Sequence, residues 1–146
     1  PTLSSAASDV YKRQVKDLSL ENHVTFIDFI PDEDLKKIYT ASKIYIMPSK
    51  TLEKEGDSEG FGITFLEANA CGCPAIGSYD GGIPDAVENE VNGLLVQSGN
   101  PLEIAKAIKK MLSDEDYRLS LAKNGIARVE KNFTWKKLSA QMIDML

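Results

Sequence analysis

Short runs of β-branched and aromatic residues alternate with longer segments of helical periodicity along this chain from Val15 onward. Such alternation is typical of α/β domains, in which helices connect the strands of a mostly parallel sheet. Four strands are predicted, at residues 23–27, 44–47, 75–78 and 93–96. The second of these, IYIM, is so apolar that we expect it to be buried on both faces.

Helices are predicted between these strands and after the last of them. Pro31 and the acids that follow it begin the first helix, a second runs from about Phe61 to Cys71, and Pro84 begins a brief third. Three more helices close the chain, and their apolar stripes are expected to face the core. These stripes are Ile104, Ala105, Ile108, Met111 and Leu112, then Leu121, Ala122, Ile126 and Val129, and finally Trp135, Leu138 and Met142 behind a capping Thr134.

Composition excludes several classes of protein. Of the 146 residues, 42% are hydrophobic, and no apolar run approaches the length needed to cross a membrane. The net charge of −5 argues against a nucleic-acid surface, which requires a basic face. Two cysteines, Cys71 and Cys73, and the single His23 offer neither a disulfide framework nor a His-rich metal site. A reducing, cytoplasmic setting is therefore expected.

The N-terminal segment has a different character from the rest. Residues 4–14, SSAASDVYKRQ, resemble the translation of a transposase adapter used in sequencing-library preparation. On this interpretation residues 1–14 are non-native, residues 15–146 are the natural sequence, and both ends are truncations. A natural codon run for residues 4–14 in the amplified genomic locus would refute it.

The segment EGFGITFLE, residues 59–67, carries the most chemical information. Gly60 and Gly62 lie at the entrance to a helix, where unpaired N–H groups form an anion site that glycines leave accessible. Glu59 and Glu67 flank that site, and carboxylates beside an anion site favour hydroxyl partners. A nucleotide sugar offers both phosphates and hydroxyls. The alternative is a capped surface helix with two solvated acids.

Residues 59–96 resemble the C-terminal half of family 4 retaining glycosyltransferases of the two-domain GT-B architecture. The E-x7-E motif corresponds to Glu59 and Glu67, and the A-C-G-x-P turn to residues 70–74. A G-G-x-P-[DE] turn follows at 81–85, and an N-G-L-L-V strand at 92–96. The likeness extends over essentially all of the chain after the N-terminal segment.

The resemblance implies a role for each matching position. Glu59 is the implied catalytic residue, contacting hydroxyls of the donor sugar, and Glu67 holds the ribose hydroxyls. Phe61 and Gly62 supply backbone N–H groups near the sugar and the distal phosphate, and Asp32 lies in the base pocket. Gly60 and Ile63 are further implied donor-binding residues. Asp32 is alternatively a plain first-turn acid. Gly81 and Gly82 border the implied crevice, although a tight turn explains them equally well.

The resemblance also implies the reaction. Family members transfer a sugar from a nucleotide-sugar donor with retention of configuration, without a divalent metal or other cofactor. The long loop at residues 49–60 looks like that of lipid-linked mannosyltransferases, which favours GDP-mannose as donor and a lipid-linked or saccharide acceptor. The expected location is cytoplasmic, with peripheral association at the cytosolic membrane face as an alternative. No nucleic-acid partner is expected.

The same resemblance predicts an incomplete domain. Residues 15–146 correspond to a C-terminal nucleotide-sugar-binding domain, a truncated Rossmann-like parallel sheet with C-terminal helices. Its first two strands, an Arg and a Lys that stabilise the leaving diphosphate, and the N-terminal acceptor domain are expected to be missing. The fragment alone is therefore expected to be inactive. In the strand order 3-2-1-4-5-6, residues 23–27 and 44–47 are not neighbours, so a gap or a non-native pairing is expected between them.

Two other classes of function compete with this interpretation. A non-catalytic Rossmann-like module that binds a nucleotide or a protein is the first, and the paired glutamates discriminate against it because a simple phosphate binder needs neither. A response-regulator-like domain is the second. It requires an acidic cluster at the end of its first strand, where this sequence has the single Asp28.

Overall fold

The computed structural model describes residues 5–49, 61–134 and 137. The chain divides into two units, residues 1–35 and residues 36–146. In the first unit, helix α1 (Ser5–Asp17) is followed by turns and extended chain. The strand predicted at residues 23–27 is wrong, since this segment has no strand structure. A strand persists only beside a hydrogen-bonded neighbour, and the described residues of this unit offer none.

Helix α2 (Asp32–Ala41) confirms the helix predicted after Pro31. The Pro31 carbonyl accepts hydrogen bonds from the N–H groups of Asp34 and Leu35, at 2.9 and 3.1 Å. Three acids occupy the first turn, where the positive end of the helix dipole favours them. Tyr39 is the buried residue of this helix.

The described part of the second unit contains a parallel sheet of three strands: β1 (Tyr45–Met47), β2 (Ala75–Ser78) and β3 (Gly93–Val96), in the order β1-β2-β3. Three of the four predicted strands are thus confirmed. Ile46 lies opposite Ile76, and Ile76 lies opposite Leu94. Because all three strands are parallel, the segments that follow them leave the sheet at one edge. Ligand sites of α/β proteins form at this carboxyl edge.

Within the described residues, four further helices connect or follow these strands: α3 (Ile63–Ala70), α4 (Ile83–Ala86), α5 (Pro101–Ser113) and α6 (Glu115–Asn132). Side chains cap the last two. Asn100 accepts a hydrogen bond from the Glu103 N–H at 3.2 Å, and Asp114 accepts one from the Tyr117 N–H at 2.9 Å. The stripe of Trp135, Leu138 and Met142, predicted for a further helix, lies outside the described residues.

The two faces of the sheet carry separate cores. Alternate residues of β2 and β3 point to opposite faces, which divides the buried apolar side chains into two clusters. One cluster comprises Phe65, Ala75, Ile83, Ala86, Val87 and Leu95 and lies against α3 and α4. The other comprises Ile76, Leu94, Val96, Ala107, Met111 and Leu121 and lies against α5 and α6.

Some predictions of burial are wrong. Ile46 is 39% exposed, because it belongs to the face on which α5 covers β2 and β3 but not the outer strand β1. In α5 the inward face is Ile104, Ala107, Ile108 and Met111. Ala105 and Leu112 point to solvent one step around the helix, and Ile126 of α6 is also exposed. In α6 the predicted Leu121 and Ala122 are buried, as are Arg118 and Gly125.

A buried polar pair joins α3 to the turn that precedes β3, and α6 packs directly over it. Asn69 and Asn92 are fully buried. The Asn92 amide donates hydrogen bonds to Asn69 Oδ1 and to the Ala86 carbonyl, both at 3.0 Å, and Asn92 Oδ1 accepts one from the Glu88 N–H at 2.7 Å. Gly125 of α6 lies directly over Asn69, where a Cβ would come within 2.2 Å of Oδ1. The two helices therefore touch at a position that only glycine permits.

Candidate functional site

The N-terminus of α3 has the features expected of an anion site. Gly62 is its N-cap residue, with φ +72° and no capping side chain. A Cβ at this position would lie 2.7 Å from the Phe65 ring, so both the backbone angle and the packing require glycine. The Phe65 N–H donates to the Gly62 carbonyl at 3.0 Å. Gly62 offers no side chain to cap the helix, and among the described residues the first-turn N–H groups of Ile63 and Thr64 have no side-chain cap from this position.

Glu67 lies on the exposed face of the same helix. Residues 63, 66, 67 and 70 share this face at helical spacing and form one side of a pocket. The pocket is lined by Phe61, Ile63, Leu66, Glu67, Ala70, Val129 and Phe133. The Phe61 and Phe133 rings are 5.6 Å apart between centroids, and the Arg128 guanidinium lies 5.4 Å from the Phe133 ring centre. The lining combines apolar surface with one carboxylate.

A tyrosine from α2 contacts this carboxylate. Tyr39 Oη donates to Glu67 Oε2 at 3.5 Å. Its ring is buried and packs edge-on against Tyr45, which packs in the same way against Phe65. Burial is the main cause that raises the pKa of Tyr39, and the Tyr45 hydroxyl and the Glu67 carboxylate raise it further. Tyr39 is therefore a neutral donor throughout the physiological pH range.

Hydrogen bonds join the segments that leave the carboxyl edge of the sheet. The Ser78 hydroxyl, at the end of β2, donates to the Ser49 carbonyl at 2.5 Å, and Ser98 donates to Asp80 Oδ2 at 2.9 Å. Gly81, with φ +58°, and Gly82, the N-cap of α4, form the turn after β2. The sheet topology therefore places this turn at the same edge as Pro48 and Ser49, which follow β1.

The predicted site residues have different outcomes. Phe61, Ile63 and Glu67 line one pocket, and Gly62 caps the helix that carries two of them. Glu59 and Gly60 lie outside the described residues. Asp32 is the exposed first residue of α2. The roles assigned to all of these residues remain predictions.

The cysteines behave as small core residues. Both are free, Cys73 is fully buried, and burial raises the pKa of its thiol to about 11. Within residues 5–49, 61–134 and 137, no three His, Cys, Asp or Glu side chains are grouped so that they could hold a metal ion. Every helix in that part of the chain is too short or too polar to cross a lipid bilayer.

Sequence reasoning missed three participants, Tyr39, Val129 and Phe133. The spacing of Tyr39 places it with Leu35 and Ile38 on the apolar face of its helix, and nothing in that spacing marks the hydroxyl that contacts Glu67. Val129 was assigned to the core, but it lines the pocket instead. Phe133 directly precedes the predicted cap Thr134, and neither that position nor the resemblance of this segment marks its contact with Phe61.

Solved structures with this architecture are glycosyltransferases of the GT-B fold. Sucrose-phosphate synthase (tll1590) from Thermosynechococcus elongatus superposes with a TM-score of 0.84 at 33% identity, covering 96% of this chain and 33% of that one. Anabaena Alr3699/HepE, in complex with UDP-glucose, superposes with a TM-score of 0.84 at 26% identity, covering 97% of this chain and 37% of that one. The fold is therefore that of the GT-B class.

The model of the family Glycosyl transferases group 1 matches residues 5–128, and the chain belongs to this family. The GDP-mannose-dependent alpha-(1-6)-phosphatidylinositol monomannoside mannosyltransferase of Mycobacterium tuberculosis is 30% identical over 138 residues, which are 94% of this chain and 36% of the relative. The chain thus spans about a third of the length of the proteins it matches. The family match includes most of the N-terminal segment that resembles an adapter.

Proposed function

We propose that this chain is the donor-binding part of a family 4 retaining glycosyltransferase. The observation that carries the proposal is the arrangement on α3. An uncapped helix N-terminus lies at Gly62, and the exposed Glu67 follows about one and a half turns later on the same helix. The first feature suits the diphosphate of a nucleotide sugar, and the second suits the hydroxyls of its ribose.

Each proposed contact follows from the chemistry of the group. The N–H groups at Phe61 and Gly62 donate to the distal phosphate, and Ile63 covers the same end of the ligand. Glu67 accepts hydrogen bonds from the ribose hydroxyls, since an ionised carboxylate is only an acceptor. Glu59 contacts the transferred sugar as the proposed catalytic residue, and Gly60 is a proposed donor-binding residue. Asp32 contacts the base, and the turn of Gly81 and Gly82 borders the crevice.

The proposed reaction transfers the sugar to a hydroxyl of a lipid-linked or saccharide acceptor and releases the nucleoside diphosphate and a proton. GDP-mannose is the proposed donor, supported by the similarity to a relative described as GDP-mannose-dependent. The complex of Alr3699/HepE with UDP-glucose makes UDP-glucose the competing donor. We propose retention of configuration without a divalent metal, in the cytoplasm or at the cytosolic membrane face. NMR of the product anomer and assay in EDTA test these points with the full-length protein.

Nucleotide binding tests the donor site in the chain as it stands. Titration with GDP and with UDP, followed by calorimetry, measures affinity for wild type, Glu67→Ala and the control Glu130→Ala. Glu130 is exposed on α6 and does not line the pocket. We expect Glu67→Ala to weaken binding about tenfold, the effect of losing hydrogen bonds to a charged group, and Glu130→Ala to leave it unchanged. Equal affinity in wild type and Glu67→Ala would refute the ribose assignment.

The proposed domain boundaries are tested separately. We propose that residues 1–14 are adapter-derived and that residues 15–146 lack the first two strands and the acceptor domain of the intact enzyme. The resemblance of residues 4–14 supports this proposal, while a family match that begins at residue 5 opposes it. Sequencing the genomic locus decides between the two, and sugar transfer by residues 15–146 alone would show that the catalytic apparatus is complete.

A further inference from the structure

We propose that Tyr39 is a positioning residue, whose hydroxyl holds the Glu67 carboxylate in the orientation that binds the vicinal hydroxyls of a ribose. The inference rests on the proposed function, because it takes the role of Glu67 from there. It adds a residue from a different helix, α2, whose side chain does not line the pocket.

The Tyr39 ring is held rigidly. It is 8% exposed, and its centroid lies 5.7 Å from that of Tyr45 at an interplanar angle of 80°. The Tyr45 ring packs in turn against Phe65, with centroids 5.4 Å apart, and the Tyr45 hydroxyl donates to Thr64 Oγ1 at 2.9 Å. Three rings in successive edge-to-face contact therefore connect α2, β1 and α3. These contacts fix the Tyr39 hydroxyl relative to the helix that carries Glu67.

Glu67 needs such a partner because it is exposed and its side chain has three rotatable bonds. Without an anchor, the carboxylate loses rotamer freedom when a ligand binds, and that entropy opposes binding. Tyr39 contacts only Oε2. A carboxylate offers about four lone-pair positions, so Oε1 and one position on Oε2 remain for two neighbouring hydroxyls.

The chemistry of the pair supports a fixed direction of hydrogen bonding. Burial keeps the Tyr39 hydroxyl protonated, because it raises the pKa of the phenol above its ordinary value. The phenol therefore donates and the carboxylate accepts. The separation of 3.5 Å is long for a hydrogen bond, and we expect it to shorten when a diol binds.

The test measures how strongly binding depends on the ribose hydroxyls. Calorimetry compares GDP with 2′,3′-dideoxy-GDP, and UDP with 2′,3′-dideoxy-UDP. The Kd of the dideoxynucleotide divided by the Kd of the ribonucleotide reports how strongly the diol is recognised. The variants are Tyr39→Phe, Glu67→Ala and the double substitution. Tyr117→Phe is the matched control, because it also removes one buried tyrosine hydroxyl and Tyr117 does not line the pocket.

We expect Tyr39→Phe to lower the ratio about three- to tenfold, the range for loss of one hydrogen bond, without weakening dideoxynucleotide binding. In the Glu67→Ala background, Tyr39→Phe should have no further effect, because Tyr39 acts through Glu67. Tyr117→Phe should keep the wild-type ratio. Thermal denaturation of each variant shows whether a loss of folding contributes.

Each other result overturns a specific statement. If Glu67→Ala lowers the ratio and Tyr39→Phe does not, the positioning role is wrong and the proposed function stands. If Tyr39→Phe weakens ribo- and dideoxynucleotides equally, its role is general packing, and the positioning role is again wrong. If Glu67→Ala keeps the wild-type ratio, or if wild type binds neither GDP nor UDP, the proposed function fails and the inference fails with it.

Discussion

Helix propensity and tertiary packing predict opposite effects of Gly125→Ala on the free energy of unfolding. Gly125 lies inside α6, where alanine is favoured over glycine by about 1 kcal/mol. Propensity alone therefore predicts a more stable protein. In the structure, however, the added Cβ would lie 2.2 Å from Asn69 Oδ1 and 2.9 Å from Asn69 Cγ. These atoms belong to a fully buried side chain with no room to turn away.

The magnitude follows from two costs. Overpacking in a buried interface costs about 1–3 kcal/mol. Displacing Asn69 also breaks its hydrogen bond with Asn92, at 3.0 Å, and leaves buried polar groups unpaired, which costs about 1–3 kcal/mol more. After subtraction of the propensity gain of about 1 kcal/mol, we expect Gly125→Ala to lower the free energy of unfolding by about 1–5 kcal/mol, with a central value of about 3 kcal/mol. The melting temperature should fall by roughly 10 °C.

Urea and thermal denaturation followed by circular dichroism measure this effect. Ala127→Gly is the control for propensity, because residue 127 is an exposed position of the same helix, and about 1 kcal/mol of destabilisation is expected there. Gly125→Ala in an Asn69→Ala background tests the contact itself. The nearest remaining atom is then the Cβ of residue 69, at 3.2 Å, so the cost should fall to about 1 kcal/mol or less. A Gly125→Ala protein as stable as wild type would refute the reasoning.

Two further predictions concern the caps and the thiols. Gly62→Ala forces a left-handed backbone angle on alanine and places its Cβ 2.7 Å from the Phe65 ring. We therefore expect the free energy of unfolding, measured by thermal denaturation, to fall by about 1–3 kcal/mol, and nucleotide binding to weaken. Equal stability and affinity would contradict the assigned cap. At pH 8, iodoacetamide should label the half-buried Cys71 and spare Cys73, whose buried thiol has a pKa near 11, until urea unfolds the chain. Mass spectrometry of the peptides measures this, and labelling of Cys73 in the native protein would contradict its assigned burial.

The sequence predicted the elements whose pattern is decided locally. The strands 75–78 and 93–96 are short apolar runs bounded by proline or glycine, and α5 begins at a proline behind a capping asparagine. Residues 23–27 have equally strong strand character, yet they form no strand. Strand formation depends on a partner elsewhere in the chain, and the pattern of one segment carries no information about that partner.

The candidate site also contains some features that the sequence predicts and others that it does not. Gly62 and Glu67 belong to one short motif, so their spacing on a single helix was readable from the sequence. The contacts of Glu67 with Tyr39 and of Phe61 with Phe133 join residues far apart in the chain. These contacts depend on how α2 and α6 pack against α3, and a tyrosine or phenylalanine at helical spacing gives no sign of it.

Helix α3 is the element through which the core and the candidate site are coupled. Its residues Phe65, Ala68 and Asn69 are buried, whereas Ile63 and Glu67 point outward, and these two sets alternate along only eight residues. A helix this short cannot bend between the two sets, so displacement of its buried face moves its exposed face as well. Substitutions at the contact with Gly125 should therefore lower stability and nucleotide affinity together, whereas Glu67→Ala should lower affinity alone. Such a difference would show that the site depends on the packing of α3 and not only on the residues that touch the ligand.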